Sequence, residues 1–159
     1  IIAIFAGTYV LHRQVQFPLC MLWGLSVWGV MHVAGGAVTV GDGVLFSYRI
    51  FPFVDLGGEF YILKYDQVVH GYLYGLVALM AHHVIKGYLT TGGFLLGLLA
   101  LMVSFGISGL NEIMELAIAM PIENGVGGYE NTMLDMCFNL GGALLALLIY
   151  HYFSARQSR

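Results

Sequence analysis

The stretch TGGFLLGLLALMVSFGISGLNEIMELAIAM, Thr91 to Met120, carries no charged side chain before Glu112. A helix needs about 20 predominantly apolar residues to cross the hydrocarbon core of a bilayer, and this run supplies them without an amphipathic face. Three further segments read the same way: Phe17 to Gly36, Asp66 to Lys86 and Thr132 to Phe153. A fifth, Ile1 to Leu11, is apolar but too short to span, and is expected to be the tail of a truncated helix or else a processed terminus. The fold class these runs predict is all-α: a polytopic transmembrane helical bundle of about four to five spans, the first truncated, with residues 1–159 forming a single bundle.

Composition agrees, since 59% of residues are hydrophobic and only 9% charged, which places the chain among integral membrane proteins. Six Lys and Arg against nine Asp and Glu leave a net charge of −3, so there is no basic surface for nucleic acid. The lipid bilayer is the partner implied, and a bundle this small also suits docking against other membrane subunits. Cys20 and Cys137 fall in different spans, so neither a disulfide nor a thiolate metal site is expected.

Residues 37–65 form the one long connection, where glycines and Pro52 mix with Phe46, Tyr48, Phe51, Phe53, Phe60 and Tyr61. That mixture predicts an irregular segment at the membrane interface, its rings at headgroup level. A second loop, residues 121–131, is acidic and glycine-rich with no Lys or Arg. Alternating spans put Arg13, Lys86, Arg156 and Arg159 on one side, and cytoplasmic ends carry the basic excess. The expectation is therefore a prokaryotic inner-membrane protein with a cytoplasmic C-terminus and both loops extracytoplasmic.

Under that alternation the ionisable groups inside the spans gather at one depth. His32 lies near the end of one span, Asp66 and His70 open the next, Glu112 and Glu115 sit near the end of the third, and Asp135 and Asn139 open the last. An ionisable side chain in a span costs roughly 2.5–3.5 kcal/mol on insertion scales and needs a partner or a task. Asp66 and His70, four apart, lie on one helical face, where a carboxylate can orient an imidazole. The alternative is that Asp66 opens its helix as an N-cap while His70 bonds a neighbouring helix. Glu112 and Glu115 have no cation within a turn of their own helix, so either they share a proton or cation, or they are solvated at the interface. Asn131, Asp135 and Asn139 form a stripe continued by Gly142, with Glu130 at its mouth. A stripe of this kind faces protein, through helix–helix hydrogen bonding or as part of a site. His70, Asp66, Glu112, Glu115 and Asp135 are the candidate catalytic residues. His32, His70, Glu112, Glu115 and Asp135 are the candidate ligands for a divalent metal such as Zn, Fe or Mn, supported by Asn139, Glu130 and Asn131. His12, His82, His83 and His151 are expected at the opposite interface.

The ordered motifs YDQVVH (residues 65–70), NEIMEL (residues 111–116) and ENTMLDMCFNLGGALL (residues 130–145) resemble those of VanZ-like membrane proteins, in particular a small inner-membrane subgroup. The family order, Asp-x-x-x-His, then Glu-x-x-Gln/Glu, then Asp-x-x-x-Asn-x-x-Gly, falls here on Asp66 and His70, Glu112 and Glu115, and Asp135, Asn139 and Gly142. The Arg that many of those proteins carry ahead of the last Asp is absent here, where Tyr129 and Glu130 occupy that region, so the resemblance does not carry anionic-substrate binding by that Arg to this chain. The resemblance implies a small membrane helical bundle and supplies no reaction. The residues themselves favour two functions: a membrane enzyme, with hydrolysis of a lipid-linked or headgroup substrate as the reaction, and a non-catalytic accessory subunit of a larger complex; a transporter or proton relay ranks third, because the cytoplasmic halves of the spans lack matching ionisable groups.

Overall fold

The computed structural model describes residues 2–58, 60–90, 92–119 and 128–157. These form the expected all-α bundle of five helices: α1 (Ile2–Val15), α2 (Leu19–Ala37), α3 (Tyr65–Tyr88), α4 (Phe94–Ala119) and α5 (Tyr129–Gln157). The last four are long and apolar enough to cross a membrane. At 1.5 Å per residue the 14-residue α1 reaches only about 21 Å. The break between α1 and α2 has a local cause. Gln16 adopts a left-handed φ of 52°, the Phe17 amide donates to His12 Nδ1 at 3.0 Å, and Pro18 brings no N–H to a continuing helix.

Helix α3 is the hub, packed on α2, α4 and α5. Its tightest seam is with α5, because the sequence places glycine on both sides of it. A Cβ added at Gly142 would overlap the Gly71 carbonyl, and one at Gly75 would stand 3.0 Å from the Gly142 carbonyl oxygen. Small residues allow backbones to approach this closely, and in lipid that packing replaces the hydrophobic drive. Leu25 and Trp28 of α2 pack with Val69, Leu73 and Tyr74 of α3. Further along the hub, Ala78 and Ala81 meet Ala100, Ala143 and Leu147. Hydroxyls stitch the helices across these layers: Tyr65 donates to the Met31 carbonyl, Tyr72 to that of Gly24 and Ser104 to that of Tyr74. Large apolar side chains such as Leu110, Ile113, Leu145 and Leu148 point outward, as lipid contact requires.

The long connection corrects the expectation of an irregular segment. β1 (Thr39–Val40) pairs with β2 (Gly43–Val44), a 3-10 turn covers Leu45–Ser47, and β3 (Arg49–Gly57) runs antiparallel to β4 (Phe60–Lys64). The β3–β4 register breaks between Arg49 and Val54, the interval holding Pro52, which has no amide to donate. Arg49 stabilises the hairpin, donating to the Gly58 carbonyl, pairing with Asp55 at 3.7 Å and lying over the Tyr61 ring.

β4 feeds directly into α3, and the buried Gln67 locks the junction. Its Oε1 accepts from the Leu63 and Lys64 amides at 2.8 and 2.9 Å, while its Nε2 donates to the Tyr61 carbonyl. Gln67 thus closes the helix start, and Asp66, in the first turn, is left for other contacts. Of the loop at residues 121–131, only Gly128 to Asn131 lie within the described residues. Tyr129, Glu130 and Asn131 already belong to α5. The acidic Glu123 and the basic Arg159 lie outside the described residues.

Candidate functional site

At the hairpin end of the bundle, the facing sides of α3, α4 and α5 bring His70 against four carboxylates. Its Nε2 lies 3.6 Å from Asp66 Oδ1, one turn back on the same helix. Its Nδ1 lies 3.4 Å from Glu112 Oε1 on α4 and 3.2 Å from Asn139 Oδ1 on α5. Asn139 also donates from Nδ2 to Glu112 Oε1 at 3.2 Å, so one amide ties the imidazole to the glutamate. With Asn139 Oδ1 and Glu112 Oε1 both acceptors, the protonated nitrogen of a neutral His70 is Nδ1, which leaves the Nε2 lone pair facing Asp66.

Two sets of donors are close enough to share an ion. Asp66, His70 and Asp135 each offer an atom within 4.8 Å of the others, and so do His70, Glu112 and Glu115. The carboxylates are individually anchored. Asn131 donates to Asp135 Oδ2 at 2.7 Å, and Asn111 donates to Glu115 Oε1 at 2.7 Å. Asp135 is only 2% exposed, and its second oxygen, Oδ1, has no hydrogen-bond partner among the described residues. Leaving a buried carboxylate oxygen bare costs at least the roughly 1–3 kcal/mol of an unmade hydrogen bond. That cost marks a place where something positive or proton-bearing belongs.

His70, Asp66, Glu112, Glu115 and Asp135 are thus brought together, and Asn139 and Asn131 act as their hydrogen-bonding supports. His32 and Glu130 are not. The His32 ring stands 5.2 Å from Trp28 and 5.3 Å from Phe46, and it belongs to neither donor set. Glu130 is exposed at the start of α5. One residue at the mouth of the site escaped sequence reasoning. Lys64, at the end of β4, donates to Asn131 Oδ1, the amide that also holds Asp135. No spacing rule could have found it, because it lies in the connection and reaches α5 only through the fold.

His82 is a second departure. Expected at the interface, it is 4% exposed, its ring 4.7 Å from Tyr150 and 5.4 Å from His151. His83 bonds the Val15 carbonyl, joining the ends of α1 and α3.

Comparison with known proteins gives one positive result. Residues 1–156 match the family described as "Predicted membrane protein (DUF2238)", and the chain belongs to it. No curated protein and no solved structure matches. The family match supports a membrane protein of unknown function and does not carry the VanZ-like resemblance, which rests on motif order alone.

Proposed function

We propose that this chain is a membrane-embedded metal-dependent hydrolase, with Asp66, His70 and Asp135 as the ligand set and a lipid-linked or lipid-headgroup molecule as substrate. The observation that carries this reading is the bare, buried Oδ1 of Asp135, a residue that shares one donor set with His70 and Asp66. One imidazole with two carboxylates suits a borderline-to-hard divalent ion such as Zn, Fe or Mn. Such an ion supplies an activated water at neutral pH and polarises the bond to be cut. The chain's own residues do the rest. Asn139 and Glu112 accept the hydrogen bond from His70 Nδ1–H and fix the ring, the arrangement by which outer groups orient a ligating imidazole. Asn131 holds one Asp135 oxygen and so aims the other. Glu115, steadied by Asn111, is the acid/base group that carries a proton between water and leaving group. Lys64, next to Asn131, places a positive charge where an anionic headgroup would enter.

We read the site as extracytoplasmic in a prokaryotic inner membrane, because Arg13, Lys86 and Arg156 all lie at the opposite end. The order of motifs shared with VanZ-like proteins supports a common polar core and no particular reaction. The test is metal analysis of the full chain purified in detergent without chelators, followed by reloading with Zn, Fe and Mn separately. One ion per chain, lost on Asp135→Asn, is expected. Properly inserted protein that takes up none of the three would overturn the reading in favour of a non-catalytic accessory subunit, in which the same groups only lock helices.

A further inference from the structure

The end of the bundle away from His70 is built without acid. None of the chain's Asp and Glu lies in residues 1–41, in residues 67–111 or after Asp135, so Arg13, Lys86 and Arg156, near the ends of α1, α3 and α5, have no carboxylate in these stretches. Lys86 has no ion-pair partner among the described residues. Between the ends of α1 and α3 lies an open pocket of about 570 Å³, lined by Gln14 and Val15 of α1 and by His83, Lys86 and Tyr88 of α3. Two helix C-termini converge here, and bare carbonyls would repel an anion. Three of those carbonyls are occupied. His83 Nε2 donates to that of Val15 at 3.1 Å, which ties the two helices together, while the Gln16 amide closes on His12 and the Leu89 amide on Ile85.

We propose that this pocket binds the phosphate of an anionic phospholipid, a diacyl phosphodiester such as phosphatidylglycerol, with Lys86 as the counter-ion and the Gln14 amide and Tyr88 phenol as further donors. Basic pockets between spans on the cytoplasmic side bind anionic lipid headgroups, and each Lys or Arg near that leaflet adds to the attraction. Two observations commit the site to a lipid and not to a free anion. The 24 residues of α3 extend about 36 Å, longer than a hydrocarbon core of about 30 Å, so Lys86 and Tyr88, in its last turn, stand at headgroup level. Beside the pocket, Val10 and Leu11 are exposed four and three residues before Gln14, on its helical face, and Leu89 is exposed just past α3. A headgroup over Lys86 would lay its chains against these apolar side chains. A zwitterionic headgroup carries its own ammonium, which Lys86 repels, so the site selects net negative charge. It shares no residue with the carboxylate cluster, from which Ala78, Ala100 and Ala143, all fully buried, separate it.

The experiment is native mass spectrometry of the full chain, released from detergent after mixing with palmitoyl-oleoyl phosphatidylglycerol or the matched phosphatidylcholine, each with and without excess inorganic phosphate. One phosphatidylglycerol per chain is expected, held about tenfold more strongly than phosphatidylcholine and not displaced by phosphate. Lys86→Gln should weaken retention about fivefold or more, the scale of one basic residue at an anionic leaflet, and Lys86→Arg should keep it. Arg156→Gln removes a cation at the same level but outside the pocket, and should change retention less than about twofold. Equal retention of the two lipids, or displacement by phosphate alone, would overturn the proposal. So would equal loss in Lys86→Gln and Arg156→Gln, which marks a diffuse basic surface, or no retained lipid, which leaves the basic end to an acidic protein partner. Should Lys86→Gln not fold, the two lipids and the phosphate arm on the wild type decide the matter. Because the hydrolase reading is tested by metal uptake at Asp135, either proposal can fail without the other.

Discussion

Asp135 sets the logic of the carboxylate site at the scale of one residue, because its two oxygens have different fates. Oδ2 is held by Asn131 and Oδ1 is held by nothing among the described residues. Replacing the acid by Asn keeps the volume, removes the charge and relieves repulsion from the other carboxylates. Discharging a buried carboxylate among other carboxylates removes a desolvation cost and a like-charge repulsion. Asp135→Asn is therefore expected to raise or preserve the thermal midpoint of the metal-free protein while abolishing metal uptake. A fall in both would instead mark Asp135 as a structural group. Asn139→Ala removes the bridge between His70 and Glu112 without touching a ligand, so metal affinity should drop about 10–100-fold, the usual effect of losing an orienting partner. Isothermal titration of the reloaded variant measures this, and unchanged affinity would count against the assigned tautomer. Spacing made Asp66, His70, Glu112, Glu115, Asp135 and Asn139 legible, since three- and four-residue steps fix a helical face and alternation fixes a depth. His32 shares their depth but packs beside Trp28 and Phe46 and belongs to neither donor set, because a common depth does not by itself bring a side chain within ligand reach. Spacing also missed the burial of His82, because the adjacent His83 hides which of the two turns inward.

The α3–α5 seam belongs to the scale of elements, and neighbouring glycines on α5 provide an internal control. Gly142 abuts the Gly71 backbone, whereas a Cβ at Gly141 would meet nothing within 4 Å. Gly141→Ala should stabilise by roughly 0.8–1.0 kcal/mol through helix propensity alone. Gly142→Ala gains the same propensity but must push two helices apart, and overpacking typically costs about 1–3 kcal/mol. The expected signs are opposite in chemical denaturation of the detergent-solubilised protein. A Gly142→Ala variant no less stable than Gly141→Ala would mean that the seam is not as close as described. The four spans were plain in the sequence because uniform apolarity over 20 residues has one physical solution in lipid. The hairpins were not. Every residue of β3 is exposed, so no alternation between a buried and an open face is imprinted on its sequence. Pro52 and the glycines further obscured it as a loop.

The whole molecule is asymmetric along its long axis, and that asymmetry predicts its orientation. One end holds the hairpins, Lys64 and the carboxylate cluster. The other joins the ends of α1 and α3 through His83 and those of α3 and α5 through His82 and His151, bringing Arg13, Lys86 and Arg156 to one level. Basic residues near span ends stay on the cytoplasmic side. The 29 residues of α5 extend about 43 Å, longer than a hydrocarbon core of about 30 Å, so the helix tilts or extends beyond the core, and its last turn, which carries Arg156, is expected at the aqueous boundary. Single cysteines at Leu56, in β3, and at Ala155, in that last turn, report the two ends. The background is Cys20→Ala with Cys137→Ala; both native thiols line one apolar groove between α2, α3 and α5. A membrane-impermeant maleimide added to intact spheroplasts is expected to label Leu56→Cys directly and Ala155→Cys only after permeabilisation. The reverse pattern would turn the bundle over. The carboxylate cluster would then face the cytoplasm, and any headgroup substrate would have to come from the inner leaflet.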